Sequence, residues 1–167
     1  WNKGKLNSFL FSIAPTILRK RDNLEPQYKD YLIDRILDKA EQKGTGTWTV
    51  IDALEKGIPI PTIAEAVFAR GISARNKERG ELIKKLWSMC PYQKKYSRKK
   101  FHELLGEAVH ISILLTYAQG FDLIREASHI HGWEIDLPEV ARIWQGGCII
   151  RAKVLKDIVI RCKTMAG

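Results

Sequence analysis

Apolar side chains in this chain recur at spacings of three and four, the period of a helix that buries one face. Leu6, Phe9, Leu10, Ile13, Ile17 and Leu18 set the first stripe and predict a helix over residues 6–21, bent or broken at Pro15. After a loop at 23–27, Tyr28, Tyr31, Leu32, Ile36 and Leu37 predict a second helix. It ends near Lys43-Gly44 with glycine as C-cap. Lys43-Gly44-Thr45-Gly46-Thr47-Trp48-Thr49 then reads as a tight turn, with Thr47 or Thr49 capping a helix over 50–56 that Gly57 stops. Pro59 and Pro61 stiffen a connector, and Thr62 caps a helix over 63–72 with Glu65 in its first turn. A further helix covers 76–89 and closes at Pro91.

The longest helix is predicted over 98–131. Its middle, 109–117, is apolar nearly all round, which predicts burial on every side and a role as the central pillar. Gly106 and Gly120 within it suit a close crossing by a neighbouring helix. Gly132 ends the pillar, a short helix spans 138–144, Gly146-Gly147 break it, and a last helix runs over 148–163. No segment alternates with period two. The expected fold class is all-α: one multi-helix domain over 1–167, built around a long buried central helix.

Composition narrows the function classes. A chain of 167 residues suits one domain. No run approaches ~20 uninterrupted apolar residues, so no transmembrane helix is expected. The net charge of +9 favours acidic partners. Yet the densest basic runs, 94–100 and 19–21, lie between predicted helices, and the aromatics are not interleaved with them. Solvated linkers explain them, and neither nucleic acid nor membrane is expected as a partner. Cys90, Cys148 and Cys162 are odd in number and widely spaced, as thiols in a reducing cytoplasm would be. No CxxC pair occurs, and no metal site is expected. Trp1-Asn2-Lys3-Gly4-Lys5 does not read as a signal peptide, and no initiator Met is present, so the chain is expected to be a fragment or a processed piece.

Few residues suggest chemistry by themselves. The glycine turn exposes backbone N–H groups near a helix start, with Lys43 at its entrance, but it lacks the spacing of a Walker loop or a GxGxxG fingerprint. From pattern alone it is read as a structural turn. Arg70, amid Val67, Phe68, Ala69 and Ile72, either snorkels to water or meets an anion, and snorkelling is favoured. His102 and His110 stand too far apart on one helix to share a small ligand, and Glu55 and Glu65 are ordinary helix carboxylates. Cys148, at the start of the last predicted helix, sits where a thiol pKa can fall, but its neighbours Ile149 and Ile150 favour burial.

Several segments in register resemble the C-terminal helical domain of the 6-phosphogluconate dehydrogenase family. They are WNKGKLNSFL at 1–10, QKGTGTWT at 42–49, AEAVFARGIS at 64–73, SILLTYAQGFDLIREAS at 112–128, and GW at 132–133 followed by IWQGGCIIRA at 143–152. The resemblance implies a helical domain of a dimeric, cytoplasmic enzyme that oxidises 6-phosphogluconate with NADP and releases carbon dioxide to give ribulose 5-phosphate. It implies that Lys43 and Arg70 hold the substrate phosphate, a match for a lysine point charge and an arginine fork. It also implies that NADP is bound mainly by a dinucleotide-binding domain outside these residues, with the lysine base and glutamate acid upstream. A further arginine and histidine would come from downstream. This chain alone is therefore expected to be inactive. It departs from the family's usual GTGKW at Thr47 and from RGGCIIR or RAGCIIR at Gln145. Those departures favour a rival expectation, a non-catalytic helical module derived from the same fold.

Overall fold

The computed structural model describes residues 1–23, 30–86, 89 and 96–165, with side chains described through residue 160. Tyr28, Pro91, Cys90, Cys162 and Lys94-Lys95 of the basic run fall outside the described residues or side chains. The described residues form helices α1 (Phe9–Arg19), α2 (Leu32–Arg35), α3 (Thr45–Glu55), α4 (Pro61–Ala74), α5 (Asn76–Leu86), α6 (Arg98–His131), α7 (Leu137–Ile143) and α8 (Lys153–Met165). Extended pairing among them amounts to isolated bridges at Ser8–Ala152 and Arg21–Tyr31. The all-α class holds. The chain divides into two compact units, residues 1–37 with 131–167, and residues 38–130.

In the first unit, α1 starts three residues later than its apolar stripe. Residues 7–9 are engaged elsewhere: the Phe9 N–H donates to the Arg151 carbonyl at 3.1 Å and the Lys153 N–H to the Asn7 carbonyl at 2.8 Å. Leu6 is buried without being helical. Ser8 caps α1 through Oγ, and the helix runs through Pro15 unbroken. The predicted helix over 28–43 shrinks to the four residues of α2, because Ile36 turns extended. The last helix also starts late. Residues 148–151 form a turn after Gly147 (φ 66), and the Arg151 guanidinium lies 3.7 Å over the Phe9 ring. Cys148 therefore does not sit at a helix start. Val154 and Leu155 of α8 and Ala141 of α7 are buried here together with Leu6.

In the second unit the core is Ala53 of α3, Ile60 of the connector and Leu123 of α6, with Val50, Ile58 and Ile63 against them. Pro61 begins α4 as its fixed φ suits. Thr62 does not cap α4. Instead Gln119 of α6 reaches across: its Oε1 accepts from the N–H groups of Thr62 and Ile63 at 3.0 and 3.4 Å, and its Nε2 donates to Thr62 Oγ1 at 3.0 Å. Helix α6 has the predicted bounds but not the predicted cover. Its buried residues are Phe121, Leu123 and Ser128, whereas Ile111 is 56% exposed and Leu115 51%. A Cβ on Gly120 would meet open space, so no helix of the described residues crosses closely there. An α-helix pairs its own backbone N–H and carbonyl groups, so its exposed turns leave no backbone group unsatisfied. Packing reaches α6 where Gln119 and Leu123 meet the start of α4 and the core, and does not enclose residues 109–117.

Candidate functional site

Lys43 closes an irregular segment, and Gly44 follows as N-cap of α3 with φ 98. That left-handed conformation suits glycine. The space a Cβ would need is bounded by the Trp48 ring at 3.3 Å. The motif thus starts a helix rather than forming a separate turn: Thr45, Gly46 and Thr47 lie in the first turn of α3, and neither Thr47 nor Thr49 caps it. Their N–H groups precede the first intrahelical bond, made by the Trp48 N–H to the Gly44 carbonyl at 3.0 Å. Such N–H groups carry the positive end of the helix dipole.

Gly46 serves a different need. A Cβ there would lie 2.9 Å from Val67 Cγ2, so only glycine lets α3 approach α4 this closely. Val67 is one turn before Arg70 and shares its helix face. The contact therefore sets the KGTG turn against the side of α4 that carries Arg70. Arg70 Nη1 then donates to the Glu41 carbonyl, two residues before Lys43. Arg70 of α4 is thereby bonded to the segment that ends in Lys43, and both side chains are exposed.

Among the described residues no carboxylate pairs with Lys43 or Arg70. The carboxylate beside them, Glu41, turns to Lys39 Nζ at 2.7 Å. The hydrogen bond and charge of Lys39 hold the Glu41 carboxyl below its ordinary pKa. Thr47 donates from Oγ1 to Gln42 Oε1 at 2.9 Å. Lys43 presents an exposed ammonium one residue before the N-cap of α3, and Arg70 an exposed guanidinium bonded to the same segment.

The segment leading to Lys43 is held by residues that sequence reasoning missed. The Ala40 N–H donates to Ser73 Oγ at 2.9 Å, and the Asp38 carbonyl accepts from Asn76 Nδ2 at 2.9 Å and Arg79 Nη2 at 3.0 Å. Their signal was a polar stripe at spacing three, Ser73, Asn76 and Arg79. The other candidates take no part here. Gln145 bonds the Ala141 carbonyl of α7 at 3.4 Å in the first unit, and His110 is half-buried on α6. Among the described residues no group of three or more His, Cys, Asp or Glu could hold a metal ion. Nor is any helix there long and apolar enough to cross a membrane.

The fold and these residues define a helical domain that presents a lysine and an arginine at one glycine-started helix. Residues 1–165 match the model of the 6-phosphogluconate dehydrogenase C-terminal domain, and the chain belongs to that family. It is 46% identical over 160 residues to the decarboxylating 6-phosphogluconate dehydrogenase of Schizosaccharomyces pombe, covering 95% of this chain and 31% of that protein. It is 42% identical over 158 residues to the human enzyme of the same name, covering 95% and 32%. A Plasmodium falciparum 6-phosphogluconate dehydrogenase, solved in its apo form and in complex with NADP+ and with 6-phosphogluconate, superposes with a TM-score of 0.85 at 38% identity. That match covers 98% of this chain and 35% of the other. The chain spans about a third of the length of these relatives.

Proposed function

We propose that this chain is the helical part of a cytoplasmic dehydrogenase that oxidises 6-phosphogluconate with NADP and releases carbon dioxide, giving ribulose 5-phosphate. In this reading Lys43 and Arg70 bind the substrate phosphate. The observation that carries it is the bond from Arg70 to the Glu41 carbonyl, which ties a guanidinium to the segment that ends in Lys43. A neutral carbonyl leaves the arginine's charge available to an anion. The single match over 1–165 supports treating the two units as parts of one domain. The exposed apolar middle of α6 supports a homodimer in which a second copy covers it.

This chain covers 35% of the relative solved with NADP+, and NADP binding is assigned mainly to the part of the enzyme that it does not span. What these residues do is grip the end of the substrate remote from the oxidised carbon, which orients the reacting end.

Arg70→Ala in the full-length dehydrogenase should remove a charge-assisted contact worth about 1.5–3 kcal/mol. That is roughly a tenfold to hundredfold rise in KM for 6-phosphogluconate, with kcat less affected. Gluconate, which lacks the phosphate, should be insensitive. An unchanged KM in a folded enzyme would remove the assignment. The rival reading, a non-catalytic module, draws on Thr47 being folded back onto Gln42. It predicts no turnover of 6-phosphogluconate by the full-length native protein.

A further inference from the structure

We propose that Arg79, acting through Asp38, is a positioning residue that sets where Lys43 stands relative to Arg70. The inference rests on the reading of Lys43 and Arg70 as phosphate ligands. Residues 36–43 form neither helix nor strand, so no ladder of backbone bonds fixes the lysine. Asp38 is five residues from Lys43, and that much chain can span roughly 17 Å when extended. The start of α3 and the Arg70 bond to Glu41 hold the near end of this segment, and the bonds to Asp38 hold its far end.

Three polar residues at one spacing hold it. Arg79 Nη2 donates to Asp38 Oδ2 at 2.9 Å, to the Asp38 carbonyl at 3.0 Å and to the Ser73 carbonyl at 3.4 Å. Asn76 Nδ2 shares the Asp38 carbonyl at 2.9 Å. Ser73, at the end of α4, accepts the Ala40 N–H through its Oγ at 2.9 Å. Ser73 is one turn beyond Arg70, so the same stretch of α4 carries a proposed phosphate ligand and a clamp for the segment bearing the other. Arg79 connects the two ends of that clamp, the carbonyl of Ser73 and the start of the segment.

Stability is a poor explanation for this arrangement. The Asp38 side chain is 76% exposed, and an ion pair so open to water contributes little to folding. Arg79 is 28% exposed and its Nε is buried, so the guanidinium is seated while its partner is not. A seated donor gripping an exposed main-chain carbonyl fixes the path of the segment. Removing it leaves the Arg70 and Ser73 bonds in place. Lys43 then loses its alignment with Arg70 without the domain unfolding.

The test uses full-length dehydrogenase carrying Arg79→Ala, Arg79→Lys or Arg70→Ala. It measures KM and kcat for 6-phosphogluconate and for gluconate, together with the melting temperature. Arg79→Ala should raise KM for 6-phosphogluconate about three- to tenfold, the effect of a weakened hydrogen bond. It should leave kcat within about twofold and KM for gluconate unchanged. Arg79→Lys keeps one charged nitrogen able to reach Asp38 and should recover most of the loss. If Arg79→Ala leaves KM unchanged while Arg70→Ala raises it, the positioning role is wrong and the phosphate reading stands. If neither variant changes KM, the phosphate reading itself fails, and the proposal with it. An equal rise in KM for both substrates marks general loosening and also overturns the proposal. Should Arg79→Ala fail to fold, Arg79→Met keeps the aliphatic stem and removes every donor to Asp38 and to the Ser73 carbonyl. It should raise KM for 6-phosphogluconate selectively, and no change would overturn the proposal.

Discussion

Residues 36–43 and the middle of α6 both leave apolar side chains in water, yet they satisfy their backbones in opposite ways. Ile36 and Leu37 are 57% and 69% exposed, close to Ile111 and Leu115 on α6. Along α6 each interior N–H is bonded within the helix, so its backbone is satisfied even where its side chains stay exposed. The 36–43 segment has no such ladder. Its carbonyls at Asp38 and Glu41 and its N–H at Ala40 are engaged by Arg79, Asn76, Arg70 and Ser73 of α4 and α5. A helix through this segment would have consumed those carbonyls internally, and Arg70 would have had nothing there to hold. Irregular chain fastened by donated side chains is what brings Arg70 to the segment of Lys43. Regular chain that is only partly covered among the described residues instead leaves an apolar surface.

The strongest way to break the fastened region is to force its helices apart. Gly46→Leu puts atoms where a Cβ alone would already stand 2.9 Å from Val67 Cγ2. Overpacking of this kind costs about 1–3 kcal/mol. Because Val67 and Arg70 share a face of α4, KM for 6-phosphogluconate should rise as well. Denaturant titration should show a lower midpoint for Gly46→Ala too, and Val67→Ala in the same chain should return part of it, a non-additivity expected of touching residues. Full native stability in Gly46→Leu would show that the helices do not approach as described.

A smaller effect is expected where α6 is anchored. Gln119→Ala leaves the Thr62 and Ile63 N–H groups at the start of α4 without their side-chain acceptor. Loss of a cap costs roughly 1 kcal/mol, within about 0.5–2. Gln119→Glu keeps an acceptor and adds a negative charge at a helix N-terminus, so at neutral pH it should stay close to native stability. That carboxylate is favoured by the dipole, which lowers its pKa. Its stabilisation is therefore present above the unfolded-state pKa and lost as pH falls through the folded one. Equal melting temperatures for Gln119→Ala and the native chain would remove the anchoring role.

These two regions also show what can be read from residues alone. The bounds of α6 are legible because its apolar spacing is long and Gly132 stops it. The extent of its cover is not, since periodicity marks which side chains favour burial and not whether a neighbour is present. Gly44 reads in the sequence as the end of a helix and is the start of one: the bonds to 38, 40 and 41 keep the preceding chain irregular, and glycine tolerates the positive φ needed to enter α3. Lys43 and Arg70 are identified through the resemblance of KGTG and VFAR, as the spacing of those residues gives no reason to join them. The Ser73, Asn76 and Arg79 stripe stays hidden because a polar face on a helix reads as solvated. Its partners are also largely main-chain groups, which have no letter in a sequence.

The smallest folding effect is expected on the unfastened side of the comparison, and there the sign of a second measurement matters more. Leu115→Ser replaces a side chain that is 51% exposed on α6. In dilute chain the change should stay within about 0.5 kcal/mol, as for a surface substitution. If a second copy covers the middle of α6, association stabilises the folded state by mass action, and the melting temperature rises with protein concentration. Leu115→Ser should flatten that rise while leaving the dilute limit where it was. Melting curves over a hundredfold concentration range, read beside light scattering, separate the two contributions. A drop of several degrees at every concentration would mean that Leu115 is packed within the chain itself. The contrast between fastened and unfastened regions would then be lost.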